Sequence, residues 1–222
     1  MIMNAPLIQL TNVKQRKGDF CLEVDNLELM PAKLYALTGP NGAGKSSLLR
    51  LLALLERADS GVICFDGAEL GSEGLRHAAR NQITMVEQEP YFFHGTVMQN
   101  ICYGLKLRGL PQKEQSRRAD EALERVALSR FATRAVDGLS SGEARRVAVA
   151  RAIALKGRLL LLDEPTANVD QETQPYFAEL IQQLLNDQTT VLFSTHDASL
   201  QQRVGAKLFT IDAGRLAGVS TL

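Results

Sequence analysis

The chain has 222 residues, 45% of them apolar and 23% charged, with 25 basic and 25 acidic side chains and a formal net charge of zero. That length buries a sizeable core in one large domain or two closely joined lobes, and the even charge argues against a sequence-independent nucleic-acid binder. Uninterrupted apolar runs reach only about five residues, against the roughly twenty that span a bilayer, and the N-terminus lacks the basic and apolar regions of a signal peptide.

From the N-terminus, Leu7-Ile8-Gln9-Leu10 and Phe20-Cys21-Leu22-Glu23-Val24 alternate with period two and predict short strands. Between them, residues 14–19 have the composition of an exposed turn. A third apolar run, Leu34-Tyr35-Ala36-Leu37-Thr38, leads into Gly39-Pro40-Asn41-Gly42-Ala43-Gly44-Lys45-Ser46-Ser47, and good helix formers follow. This stretch fits G-x-x-x-x-G-K-[ST], the phosphate-binding P-loop. A strand, a glycine-rich turn and a helix N-terminus aim backbone N–H groups at one point, which makes an anion site. Gly42 and Gly44 let the backbone close around phosphates. Lys45 is the expected point charge at the β- and γ-phosphates, and the Ser46 hydroxyl the expected Mg²⁺ ligand.

Further along, Val62-Ile63-Cys64-Phe65 before an Asp66-Gly67 turn predicts a hairpin, and Ile83-Thr84-Met85-Val86 another strand. From about residue 96 to 155 nearly everything reads as helix. One helix is opened by Pro111 at its first turn, with Ala119, Ala122, Leu123, Val126 and Ala127 as its apolar stripe, and another covers about 142–155. Leu159-Leu160-Leu161-Leu162 suits a strand buried on both faces. A helix near 171–185, strand 190–194 and a tail strand turning at Asp212-Ala213-Gly214 complete the chain. The fold expected is α/β: a P-loop NTPase with a mainly parallel core sheet, an N-terminal antiparallel β subdomain and an inserted helical subdomain. The core covers about 1–90 and 156–222, and the helical part about 91–155.

Three other constellations carry chemistry. The strand ending in Asp163-Glu164 is the Walker-B arrangement of a P-loop protein: Asp163 is suited to hold Mg²⁺ and Glu164 to deprotonate the attacking water. Ser140 and Glu143 satisfy a capping box, which alone explains them locally, while the same helix N-terminus can also accept a phosphate from outside. His196 follows a strand on the edge where open parallel sheets bind ligands, within reach of a γ-phosphate. Cys21, Cys64 and Cys102 have no metal or redox spacing and read as buried thiols in a reducing compartment. His77 and His94 have no such placement.

Residues 39–46, Gln88, residues 139–143, Leu162-Asp163-Glu164-Pro165, Ala167-Asn168-Val169-Asp170 and His196 resemble, in order and spacing, the motifs of an ATP-binding cassette (ABC) ATPase subunit. The resemblance covers essentially the whole chain. The P-loop is shared with many NTPases, whereas SSGEARRVAVARAIAL followed by LLLLDEPTANVD is specific to this family. The resemblance implies that Gln88 is the Q-loop glutamine, touching Mg²⁺ or the attacking water. Ser140, Ser141 and Gly142, with Glu143, then meet the γ-phosphate of ATP held by a second copy; Asp170 belongs to the D-loop at the dimer interface, and His196 is the switch histidine. ATP and Mg²⁺ are the implied ligands.

Three positions depart from the family pattern. Ser141 and Glu143 replace the third and fifth residues of LSGGQ. Ala167-Asn168-Val169-Asp170 replaces SALD. Where the family stacks an aromatic on adenine, about twenty-five residues before the P-loop, this chain has Arg16 and Lys17, with Phe20 the nearest aromatic; either Arg16 or Phe20 can stack. The resemblance further implies a transporter motor at the inner face of the cell membrane. It works with a separate permease and a substrate-binding protein for small-solute uptake, including oxyanions such as tungstate, and no nucleic acid is expected. The stretch Tyr91-Phe92-Phe93-His94-Gly95-Thr96-Val97 fits a groove for a permease helix. The competing class is a soluble cassette that clamps DNA or ribosomes, which brings a coiled-coil insertion, a second cassette or a basic surface. A P-loop small-molecule kinase would lack the SSGE helix and the histidine.

Overall fold

The computed structural model describes residues 5–165, 174–196 and 204–220. Within these residues ten strands form one sheet: β1 (Ile8–Lys17), β2 (Phe20–Leu29), β3 (Leu34–Thr38), β4 (Ser60–Phe65), β5 (Ala68–Glu69), β6 (Ile83–Val86), β7 (Leu159–Leu162), β8 (Thr190–Ser194), β9 (Lys207–Asp212) and β10 (Arg215–Ser220). Their spatial order is β5-β4-β1-β2-β10-β9-β3-β8-β7-β6. Pairs β9–β3, β3–β8, β8–β7 and β7–β6 are parallel. Pairs β1–β2, β1–β4, β4–β5 and β9–β10 are antiparallel. A single parallel register pair, Arg215 with Glu23, joins the two regions. The chain is thus α/β with a mostly parallel core and antiparallel N-terminal strands, as its sequence predicts.

Among the described residues six α-helices flank the sheet: α1 (Lys45–Leu52), α2 (Glu73–Arg80), α3 (Val97–Leu107), α4 (Gln112–Arg125), α5 (Ser141–Ala154) and α6 (Gln174–Asn186). Successive strand residues point to opposite faces, and the core divides accordingly. Leu160, Leu162, Val191 and Phe193 join α3, α4, α5 and α6 on one face. Leu159, Leu161 and Leu192 join α1 and the inward residues of β1 and β2 on the other. Every residue of β7 and β8 is buried, which is why β7 can be an unbroken leucine run.

Several boundaries differ from expectation. β1 and β2 each run ten residues, and only Gly18 and Asp19 form the turn, not residues 14–19. The outer half of β1 pairs its lysines and arginine outward and buries Gln15, whose amide donates to Glu56 and the Arg57 carbonyl. A buried polar side chain took the place of the apolar signal. Pro111 caps α4 rather than occupying its first turn, with an extended ψ of 147°. Helix α2 had no counterpart in the sequence reading: Ala79 is its one buried residue, so no apolar stripe marks it. The helix predicted near 171–185 is described from Gln174 onward. The three cysteines are free thiols but only half-buried, not buried as their apolar neighbours suggest.

Candidate functional site

Strand β3 ends at the P-loop, and the loop needs glycine. Gly39, Gly42 and Gly44 have φ of 154°, 78° and 109°, a region that L side chains rarely adopt. At Gly39 a Cβ would also lie 2.1 Å from the Ile211 carbonyl oxygen, and at Gly44 it would lie 2.7 Å from Cζ of Phe20. Gly44 is the N-cap of α1 and offers no side-chain cap. The first-turn N–H groups therefore point outward beside Ser46 and Ser47, with no acid in the first turn to compete for them. Pro40, Asn41 and Gly42 form the exposed outer lip, and Ala43 is buried beneath it. A cavity of about 410 Å³ opens over the loop; Phe20, Asn41, Lys45, Ser46, Gln88 and Glu164 are among its walls.

Lys45 is 6% exposed. Its Nζ donates to the carbonyls of Gly39 (2.9 Å) and Pro40 (3.2 Å) and lies 3.8 Å from Oε1 of Glu164. The other Glu164 oxygen accepts from Nε2 of Gln88 at 3.4 Å and lies 3.7 Å from Nδ1 of the exposed His196. Asp163 is 5% exposed; its N–H donates to the Val86 carbonyl at 2.9 Å. Ser194, wholly buried at the end of β8, donates to Oδ1 of Asp163 at 2.6 Å and accepts from the Glu164 N–H at 2.8 Å. Glu164 itself has φ of 45°, a left-handed conformation costing about 1–2 kcal/mol for a residue with a Cβ. Residues from four places in the chain thus line one cavity, and His196 reaches its Glu164 wall.

The donors suit Mg²⁺. A hydroxyl (Ser46), a buried carboxylate (Asp163) and an amide (Gln88) are hard oxygen donors, and Mg²⁺ takes the rest of its shell from phosphates and water. Among the described residues no group of three or more His, Cys, Asp or Glu forms a self-sufficient metal cage.

The predicted signature residues lie elsewhere. Ser140 caps α5, accepting from the Glu143 N–H at 3.3 Å, while Glu143 accepts from the Ser140 N–H at 2.7 Å. The capping box is formed. That backbone N–H, helped by Ser140 Oγ, Arg134 and Arg146, holds the Glu143 carboxyl below its usual range. Ser140 and Ser141 are exposed, and none of residues 140–143 lines the P-loop cavity. Asp170, with residues 167–169, lies outside the described residues.

The parts played by four residues escaped the sequence reading. Ser194 left a signal, a hydroxyl at the inward end of an apolar strand. Gly214, in the β9–β10 turn, donates its N–H to the Ala43 carbonyl (2.9 Å) and accepts from the Glu23 N–H (2.7 Å), bracing the P-loop. Arg145 and Arg151 of α5 donate to the carbonyls of Gln88 (3.0 Å) and Tyr91 (2.8 Å), tying that helix to the segment after β6.

The family model for ABC transporters matches residues 22–167. The chain belongs to the ABC transporter family. Among its relatives, the sulfate/thiosulfate import ATP-binding protein of Gloeobacter violaceus is 37% identical over 96% of this chain and 62% of its own length. The glutamine transport ATP-binding protein of Escherichia coli is 33% identical over 95% of this chain and 90% of its own. This ABC chain therefore spans about three fifths of the first relative and nine tenths of the second. Among solved structures, a bacterial ABC transporter cassette in dimeric form superposes with a TM-score of 0.87 at 26% identity, covering 97% of this chain and 98% of that one.

Proposed function

We propose that this ABC chain is the ATP-hydrolysing motor subunit of a transporter, closing as a dimer around two ATP and driving a separate permease. One observation carries the reading. Lys45, Gln88 and Glu164 line the P-loop cavity, with His196 against Glu164, while none of the signature residues 140–143 lines it. A nucleotide that touches both must lie between two copies. In this reading Glu164 takes a proton from the attacking water, Gln88 and His196 orient it, and residues 39–47 with Lys45 cradle the phosphates. Ser46 and Asp163 would hold Mg²⁺, whose charge offsets that of the phosphates. Ser140, Ser141 and Gly142 approach the γ-phosphate in the second copy, with Asp170 at the interface. Because both copies share the γ-phosphate, binding favours closure and hydrolysis reverses it.

The finer reading is uptake of a small solute of the oxyanion class, such as tungstate, with a substrate-binding protein delivering it. Support comes from the likeness to a sulfate/thiosulfate import subunit. No described helix is long and apolar enough to cross a membrane, so we place the chain at the inner face through its permease. The division into a core (about 1–90 and 156–222) and a helical subdomain (about 91–155) is part of the same proposal, supported by the mutual packing of α3, α4 and α5.

Glu164→Gln tests it. Turnover should fall about 10²–10⁴-fold, the usual contribution of a positioned base, while ATP binding persists and light scattering in ATP and Mg²⁺ reports a dimer. A variant that stays monomeric under those conditions sinks the shared-site reading. A pull-down of the same variant from solubilised membranes, with ATP, should bring a multi-spanning permease; recovery of ribosomal or DNA-associated proteins alone would replace transport with a clamp.

A further inference from the structure

We infer that Ser194 is a positioning residue for hydrolysis, the peg that sets both Walker-B carboxylates. The inference rests on the ATPase reading above. Its hydroxyl has one hydrogen, given to Oδ1 of Asp163 at 2.6 Å, and lone pairs, one of which receives the Glu164 N–H at 2.8 Å. No solvent reaches it, since Ser194 is 0% exposed. Water therefore has no room to replace it as the partner of either group.

The two bonds act on different groups. The first fixes the rotation of the Asp163 carboxylate, leaving its other oxygen for a ligand. The second holds the peptide of Glu164, a residue kept at φ 45°. Without an acceptor for that N–H, the peptide is freed to relax toward the ordinary helical or extended regions, and the side chain swings with it. Glu164 now reaches Lys45, Gln88 and His196 with its two oxygens, so a backbone rotation would take it away from all three. Ser194 lies in the next strand of the sheet, with Leu162 paired to Phe193. The peg thus ties the loop after β7 to the rigid end of β8.

The test is a matched pair, Ser194→Thr and Ser194→Val. Both place the same branched shape in a closed site, and only Thr keeps a hydroxyl. Three quantities are read: kcat, KM for ATP, and the affinity for ribose-labelled fluorescent ATP in EDTA, where no metal is bound. Thr should retain a kcat within about threefold of the parent, whereas Val should lose about ten- to a hundredfold, the effect of stranding a buried donor beside the reacting groups. Affinity in EDTA should match in both, because neither hydrogen bond of the Ser194 hydroxyl goes to the P-loop. Equal kcat in Thr and Val overturns the inference, whether both are active or both inactive. So does a Val defect that appears equally in metal-free nucleotide binding, which marks general damage to the fold. If the parent itself hydrolyses no ATP, the ATPase reading fails first and takes this inference with it. If the parent turns over and Glu164→Gln blocks it, a negative result in the pair counts against Ser194 alone.

Discussion

Phe20 and Arg16 belong to the same hairpin, yet only one of them borders the cavity. Arg16 pairs across the hairpin with Cys21 and is exposed, its N–H bonded to the Asp59 carboxylate at 2.6 Å. Phe20 lines the cavity with its ring against Gly44. We therefore assign adenine stacking to Phe20. Stacking of a base on an aromatic ring contributes about 1–3 kcal/mol by alanine substitution, so Phe20→Ala should weaken labelled-ATP binding roughly five- to a hundredfold. Arg16→Ala should stay within about twofold. A larger loss in the arginine variant would reverse the assignment. The choice was not legible in the sequence because it depends on where the turn lies, and the burial of Gln15 extended β1 through what reads as loop. By contrast, the meeting of Lys45 and Glu164 at one cavity was legible, because the proposed phosphate and water chemistry restricts the residue types at those positions, whatever surrounds them.

At the scale of elements, the P-loop is held from beneath by a turn far along the chain. Gly214 has φ of 79°, and a Cβ there would lie 1.9 Å from the Cys21 carbonyl oxygen. Its two backbone bonds tie Ala43 to β2. Gly214→Ala adds left-handed strain to a collision with backbone that cannot give way, together about 2–4 kcal/mol. For a chain of this size the melting midpoint should drop by about 5–10 °C, and ATP affinity should fall with it as the loop shifts. An unchanged midpoint would mean that the turn does not brace the loop. The glycine itself was legible as a turn residue; its partner was not, because strand order decides it. β9 and β10 insert between β2 and β3, and that non-local pairing leaves no trace in hydrophobic period. Helix α5 shows the complementary limit. Its capping box was readable from Ser140 and Glu143, whereas the reach of Arg145 and Arg151 to the carbonyls after β6 appears only once the helix is set against the sheet.

For the molecule as a whole, the proposed motor needs a surface through which closure of the dimer would act on a partner. Beside the Gln88 segment, Tyr91, Phe93, Tyr103 and Leu107 are all exposed. Tyr91 meets Phe93 edge-on at 5.6 Å, and Phe93 meets Tyr103 at 4.3 Å. The patch is rigid. Asn100, 1% exposed, accepts from the Phe93 N–H and donates to the carbonyls of Phe93 and Thr96, all at 2.9–3.0 Å. Phe92 turns the other way, under the guanidinium of Arg151 at 5.2 Å, so part of this aromatic run serves internal packing. Arg151 also holds the Tyr91 carbonyl, and Arg145 holds that of Gln88. One helix therefore grips both the glutamine at the cavity and the base of the apolar patch. Contiguous exposed apolar surface of this kind marks a protein contact, and the proposed permease is the partner. Phe93→Asp should weaken that contact by at least about 2 kcal/mol, as loss of a central aromatic anchor does, and abolish co-purification with the permease from solubilised membranes. Hydrolysis by the isolated subunit should stay within about twofold, because Phe93 reaches no residue at the cavity. If the aspartate variant still brings down the permease at the parental level, the aromatic patch is not the docking surface and the link through α5 leads elsewhere.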